Sequence, residues 1–224
     1  MKNFKVIGAL VAAIIVVTMI VFVQHSVNAA IDGTAHDFQD ASNWTTGAAG
    51  GNQICSPCHT PHQPAAMNGQ DPLWSHNLSA QASYGVYANA ATLNATPADV
   101  GGAAVGSASV TNLCLSCHDG TIGMDMYDGG AGANTPLMGA INGGASNVGT
   151  SLADDHPVNF TYDNALFVAD GELIDPAGAA VAALLNAGTV QCSSCHDPHG
   201  KAGVTKLLQM DNTGSALCLT CHNK

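Results

Sequence analysis

Residues 192–199 read Cys192-Ser193-Ser194-Cys195-His196-Asp197-Pro198-His199, and shortly afterwards Cys218-Leu219-Thr220-Cys221-His222 repeats the opening pattern. Earlier in the chain the same five residues stand at Cys55-Ser56-Pro57-Cys58-His59 and at Cys114-Leu115-Ser116-Cys117-His118, so all eight cysteines are used and none is left over. C-x-x-C-H is the attachment pattern of c-type haem, and its spacing has a physical reason. Two residues in a tight turn set both sulfurs against the two vinyl groups of one porphyrin, while the adjacent histidine is swung onto the iron. Four such motifs predict four covalently attached haem c groups, held by Cys55, Cys58, Cys114, Cys117, Cys192, Cys195, Cys218 and Cys221. His59, His118, His196 and His222 are the predicted proximal iron ligands.

Other uses of paired cysteines fit less well. Tetrahedral zinc is also built from C-x-x-C pairs, but histidine is only 10 of 224 residues. A histidine after all four pairs by chance has odds on the order of one in 10⁵ or less. A thioredoxin-like site would need one such pair on a βαβ pattern, which the sequence lacks. A disulfide framework alone leaves the histidines unexplained.

Removing the four proximal residues from ten histidines leaves His25, His36, His62, His76, His156 and His199. His25 lies in a segment expected to be removed, so five histidines remain as distal ligands for four irons. Bis-histidine ligation closes an iron on both faces and leaves no position for a substrate. The expectation is therefore electron transfer and not catalysis. Met67, Met124, Met126, Met138 and Met210 are rival distal ligands that would raise the potential, and they are read instead as gap-filling side chains around porphyrin edges.

The N-terminus reads as an export signal. Lys2 and Lys5 form a short basic region, Val6 to Val23 is almost wholly apolar, and Val27-Asn28-Ala29 is a small-residue cleavage site. An 18-residue apolar run is also just long enough to cross a bilayer, so an uncleaved anchor is the competing reading, and membrane association is expected only if it is retained. Without residues 1–29 the chain keeps three lysines and no arginine against 16 acidic residues, a formal charge of −13. That balance argues against nucleic acid as a partner, because phosphate contacts are made by Lys and Arg.

Only 9% of residues are charged and 5% aromatic, and there are 25 glycines, so large side chains are too scarce to fill an ordinary core. The predicted fold is mostly irregular coil with short α-helices and few short strands around a haem-packed core. An internal repeat, CSPCHTPH then LCLSCHD, and CSSCHDPH then LCLTCHN, divides it into a duplicated two-haem unit: residues 30–150 for haems 1 and 2, and 151–224 for haems 3 and 4. Gly101–Thr111 and Gly129–Thr150 read as loops. Asp175 as N-cap, Pro176, the run Ala177–Ala187 and Gly188 predict a short helix. Val158–Ile174, broken at Asp170-Gly171, suggests a hairpin. The N-x-S/T sequons at Asn43, Asn77, Asn94 and Asn159 are what chance produces in a chain rich in Asn and Thr.

The ordered set CSPCHTPH, PLWSH, NLCLSCHDGT, DHPVNF, CSSCHDPHG and ALCLTCHNK resembles the outer-surface tetrahaem c-type cytochromes of the OmcE type, which polymerise into conductive filaments. The resemblance spans nearly the whole mature chain, although the chain is poorer in basic residues than many of these relatives. It implies a loop-rich subunit with bis-histidine haems, secreted to the cell surface, passing electrons to its own copies and to other redox proteins or extracellular acceptors. It further implies that one protomer supplies a distal histidine to its neighbour, the role that motif matching gives to His62. His76 in PLWSH, His156 in DHPV and His199 in CHDPH match distal ligands within the chain, while His36 is either a fourth or the spare. Two alternatives are a soluble periplasmic tetrahaem shuttle, a class usually rich in lysine around its haems, and a membrane-anchored quinol dehydrogenase of the NapC/NirT type. A haem enzyme with an open iron is the third.

Overall fold

The computed structural model describes residues 31–39, 54–60, 73–79, 81–88, 93–101, 109–127, 132–135 and 137–223. The expected export segment, His62 and Met67 lie outside them. Five helices are short: α1 Val110–His118, α2 Asn164–Asp170, α3 Ala179–Ala182, α4 Cys192–Cys195 and α5 Ala216–Cys221. Four strands of two residues each form two ribbons. β1 (Gly85–Val86) runs parallel to β2 (Ser151–Leu152), with Gly85 opposite Ser151, and β3 (Phe160–Thr161) runs antiparallel to β4 (Thr189–Val190), with Phe160 opposite Val190. Single 3₁₀ turns occur at Met138–Ala140, Asn142–Gly144 and Thr213–Ser215. The described residues are thus mostly irregular, with few short helices and strands and no closed sheet among them.

Such brief elements follow from composition, since an isolated helix of one or two turns is not stable on propensity alone and needs something to pack on. The buried side chains gather into three small clusters. Phe38, Met124 and Met138 form the first, with Cys58, Cys117 and Ile141 against it. Tyr84, Val100, Leu115 and Leu152 form the second, and Tyr162, Leu166, Val181 and Val190 the third, against which Cys221 packs. Each cluster therefore abuts a haem-attachment motif: Cys58 and Cys117 at the first, Leu115 at the second, Cys221 at the third. Met124 and Met138, 1% and 4% exposed, lie inside the first cluster as packing residues.

Two local expectations are corrected. Val158–Ile174 is not a hairpin: Asp163 caps α2, its carboxylate accepting from the Leu166 N–H at 2.9 Å, and Gly171, at φ +74°, ends it in the left-handed region. β3 pairs instead with β4, residues distant in sequence, which no local pattern signals. The run Ala177–Ala187 is helical only at Ala179–Ala182. Asp175 accepts from the Ala177 N–H at 2.8 Å in a turn of its own, so helix starts three residues later than its capping signal suggests. At the other end Asn186 and Thr189 exchange two backbone hydrogen bonds of 2.9 Å around Ala187 and Gly188, both at positive φ. That is a two-residue hairpin turn of the primed type, and it delivers the chain directly to β4 and the third motif.

Candidate haem centres

Each motif is wound into one turn. The histidine N–H donates to the carbonyl of the first cysteine at 2.8 Å for His59, 3.0 Å for His196 and 3.0 Å for His222, while Cys114 to His118 form the last turn of α1. Residues three apart on a helical turn share a face, so each pair of thiols is presented together with its histidine beside it.

Three motifs are then anchored in the same way. The backbone of His59 pairs with Trp74, that of His196 with Leu208 and that of His222 with Leu173, each as a single antiparallel bridge. In every case the residue after the histidine donates to the residue before its bridge partner: Thr60 to Leu73 at 2.9 Å, Asp197 to Leu207 at 2.7 Å, and Asn223 to Glu172 at 2.8 Å. The second cysteine accepts in return: Cys58 from Ser75 at 2.9 Å, Cys195 from Gln209 at 2.8 Å, and Cys221 from Ile174 at 2.8 Å. These bridges come from three unrelated stretches of sequence, and only PLWSH was visible as a motif. The second motif is held differently. Val148 donates to the His118 carbonyl at 2.9 Å, and the buried Asp119 carboxylate accepts from the Thr121 N–H at 2.8 Å and from the Tyr84 hydroxyl at 2.5 Å. Burial, then the Asp119 carboxylate beside it, raises the Tyr84 phenol well above its ordinary range.

Three motif histidines face a histidine from elsewhere in the chain. The ring centres of His36 and His118 are 6.0 Å apart, those of His59 and His199 6.0 Å, and those of His156 and His222 6.3 Å, with interplanar angles of 43°, 12° and 73°. Three of the six turn Nδ1 to a backbone carbonyl: His36 to Pro198 at 3.0 Å, His118 to Ser146 at 2.7 Å, and His156 to Pro157 at 2.9 Å. His196 does the same with Lys206 at 3.3 Å. A carbonyl on Nδ1 fixes the tautomer with the proton there and leaves the Nε2 lone pair as the donor to a metal. His36 is lowered to about 4, by burial first and then by neighbouring His118, so its imidazole is neutral at neutral pH.

Among the described residues no second imidazole stands opposite His196 at this spacing. His76, expected as a distal ligand, is placed otherwise: it is 1% exposed, with Nδ1 3.0 Å from the Asn77 carbonyl and Nε2 3.1 Å from the Gly123 carbonyl. With both nitrogens engaged, and its pKa lowered by burial, it serves as a buried connector between residues 73–79 and 121–127. Asn77 donating to Met126 at 2.8 Å supports the same join.

The eight cysteines form no disulfides with one another. Burial raises Cys58 to about 12, and it raises Cys117, Cys195 and Cys221 as well. The interaction between neighbouring Cys114 and Cys192 raises the first and lowers the second. No group of three or more His, Cys, Asp or Glu side chains is gathered among the described residues, whereas structural zinc takes four ligands. Haem fits the donor set. Two imidazoles sharing one metal ion, each nitrogen about 2.0–2.1 Å from it, would have ring centres about 6 Å apart, which is the separation seen three times. The buried Trp74 Nε1, beside His59, has no acceptor in the polypeptide, as suits a site lined by a group with carboxylates of its own.

Comparison with known families gives the same chemistry. Residues 184–224, which carry the third and fourth motifs, match the model described as the doubled CXXCH motif. No curated protein matches the chain significantly. The paired motifs mark covalently bound c-type haem, and with it a multihaem c-type cytochrome.

Proposed function

We propose that the chain carries four covalent c-type haems, each iron closed by two imidazoles, and that it transfers electrons outside the cell within a filament of its own copies. The observation that carries the reading is the set of three imidazole pairs at 6.0 to 6.3 Å, each joining a motif histidine to one from elsewhere. Bound haem supplies a one-electron iron couple at each motif. The chain's own residues do the rest. The cysteine pairs tether, His118 with His36, His59 with His199, and His222 with His156 ligate, and the carbonyls on Nδ1 of His36, His118 and His156 keep those rings in register. An iron closed on both faces offers substrate no position, so the protein is a carrier and not an enzyme.

His196 is the motif histidine whose opposite ligand remains to be assigned. His62 is assigned to it here, supplied by a neighbouring copy, which is what links one subunit to the next. The N-terminal apolar segment is taken as a removed export signal, and the described residues contain no helix long and apolar enough to cross a membrane. The strongly acidic chain argues against nucleic acid as partner and suits redox proteins or extracellular acceptors.

A pyridine haemochrome assay on the secreted protein should return four haems per chain, with a low-spin spectrum throughout. Mass photometry and negative-stain microscopy should show polymers that His62→Ala shortens at unchanged haem content. Uniform monomers would instead make the protein a periplasmic shuttle, and retention of residues 1–29 would make it membrane-anchored.

A further inference from the structure

Gln191, the residue before the third motif, is 3% exposed and ties together parts of the chain some 80 residues apart. Its Oε1 accepts from the Ser109 hydroxyl at 2.8 Å, the Thr111 hydroxyl at 2.7 Å and the Thr111 N–H at 3.2 Å. Its Nε2 donates to Asn159 Oδ1 at 3.1 Å and to Thr189 Oγ1 at 3.0 Å. Thr111, itself fully buried, accepts in turn from the Cys192 N–H at 3.2 Å. Ser109 and Thr111 open α1, which carries the second motif, and Cys192 opens α4, which is most of the third.

The knot brings two attachment motifs from the two halves of the chain together. α1, which carries Cys114 and Cys117, packs directly on α4, which carries Cys192 and Cys195. Cys58 and Cys117 share the Phe38 cluster, so the first motif abuts the second on the other side. A polar cluster this dehydrated holds its geometry stiffly, because any shift would leave a buried donor or acceptor unpaired.

We propose that Gln191 is the positioning residue of the junction between the second and third motifs, setting the separation across which electrons pass from one half of the chain to the other. The proposal rests on reading those motifs as haem sites. It predicts that electronic coupling between neighbouring haems depends on a side chain that touches neither iron.

The test uses the intact holoprotein and three variants: Gln191→Met and Thr111→Val, which remove the acceptor and the bridging hydroxyl, and Thr111→Ser, which keeps the hydroxyl. Haem content is read by pyridine haemochrome, ligation by the low-spin absorption spectrum, and coupling by the exciton couplet in Soret circular dichroism. The expected result is a loss of couplet amplitude in Gln191→Met and Thr111→Val, full amplitude in Thr111→Ser, and haem content and ligation unchanged in all three. A full couplet in Gln191→Met overturns the proposal. Loss of haem from both disruptive variants also overturns it, since the knot would then govern loading and not spacing. A wild-type chain without haem at these motifs would instead defeat the reading beneath it.

Discussion

His199 and His76 show how differently one side chain is used within this chain. His199 stands 6.0 Å from His59 with its rings nearly parallel, and its Nδ1 lies 3.6 Å from the Asp197 carboxylate. His76 is enclosed, with a carbonyl against each nitrogen. Replacing His199 by Ala should therefore open one iron, giving a high-spin signal at unchanged covalent haem content. Replacing His76 by Ala should leave every haem low-spin but strip one carbonyl of its donor, since a neutral imidazole has a single N–H, at a cost of about 1–3 kcal/mol in a denaturant titration. A high-spin signal from the His76 variant would make it a ligand after all. Nothing in the spacing of PLWSH separates these outcomes, because the deciding atoms are the Gly123 and Asn77 carbonyls. His36 is the converse case: its own sequence context is uninformative, and only the tertiary structure sets its ring 6.0 Å from that of His118.

At the scale of elements, the motif turns form from local sequence, while their anchors do not. Each C-x-x-C-H closes its own hydrogen bond, yet the antiparallel bridges to Trp74, Leu208 and Leu173 come from three stretches with nothing in common. One of these, Leu173, sits just past the Gly171 cap of α2, so the cap of that helix bears on the fourth motif. Asp163→Ala should cost about 1 kcal/mol through the lost cap to Leu166, and Gly171→Ala should cost about 1–2 kcal/mol, because its φ of +74° is poor for any residue with a Cβ. No atom lies within 4 Å of that added methyl, so the penalty is one of backbone and not of packing. Thermal melts of the holoprotein followed at 222 nm would check both. The α3 region teaches the same lesson from the other side: the Asp-Pro start and Gly stop were legible at Asp175 and Gly188, but Asp175 spends its carboxylate on a turn and Ala187-Gly188 form a hairpin, so only four residues are helical.

For the molecule as a whole, the apolar clusters among the described residues are small, and a chain with so few large side chains has little else with which to offset the conformational entropy of ordering it. Changing all eight cysteines to serine should accordingly give a chain with no cooperative thermal transition by circular dichroism, whereas the haem-loaded form melts cooperatively. A cooperative melt in the serine variant would show that protein contacts alone suffice. The sequence by itself determined the attachment chemistry, the predominance of coil and the supply of imidazoles, because thioether spacing, glycine content and residue counts are local properties. Only the tertiary structure decided which imidazoles face each other, that His76 is turned to carbonyls, and that Gln191 locks the second motif to the third. Those outcomes depend on backbone segments 47 to 162 residues apart meeting in space, and no local pattern encodes such a meeting.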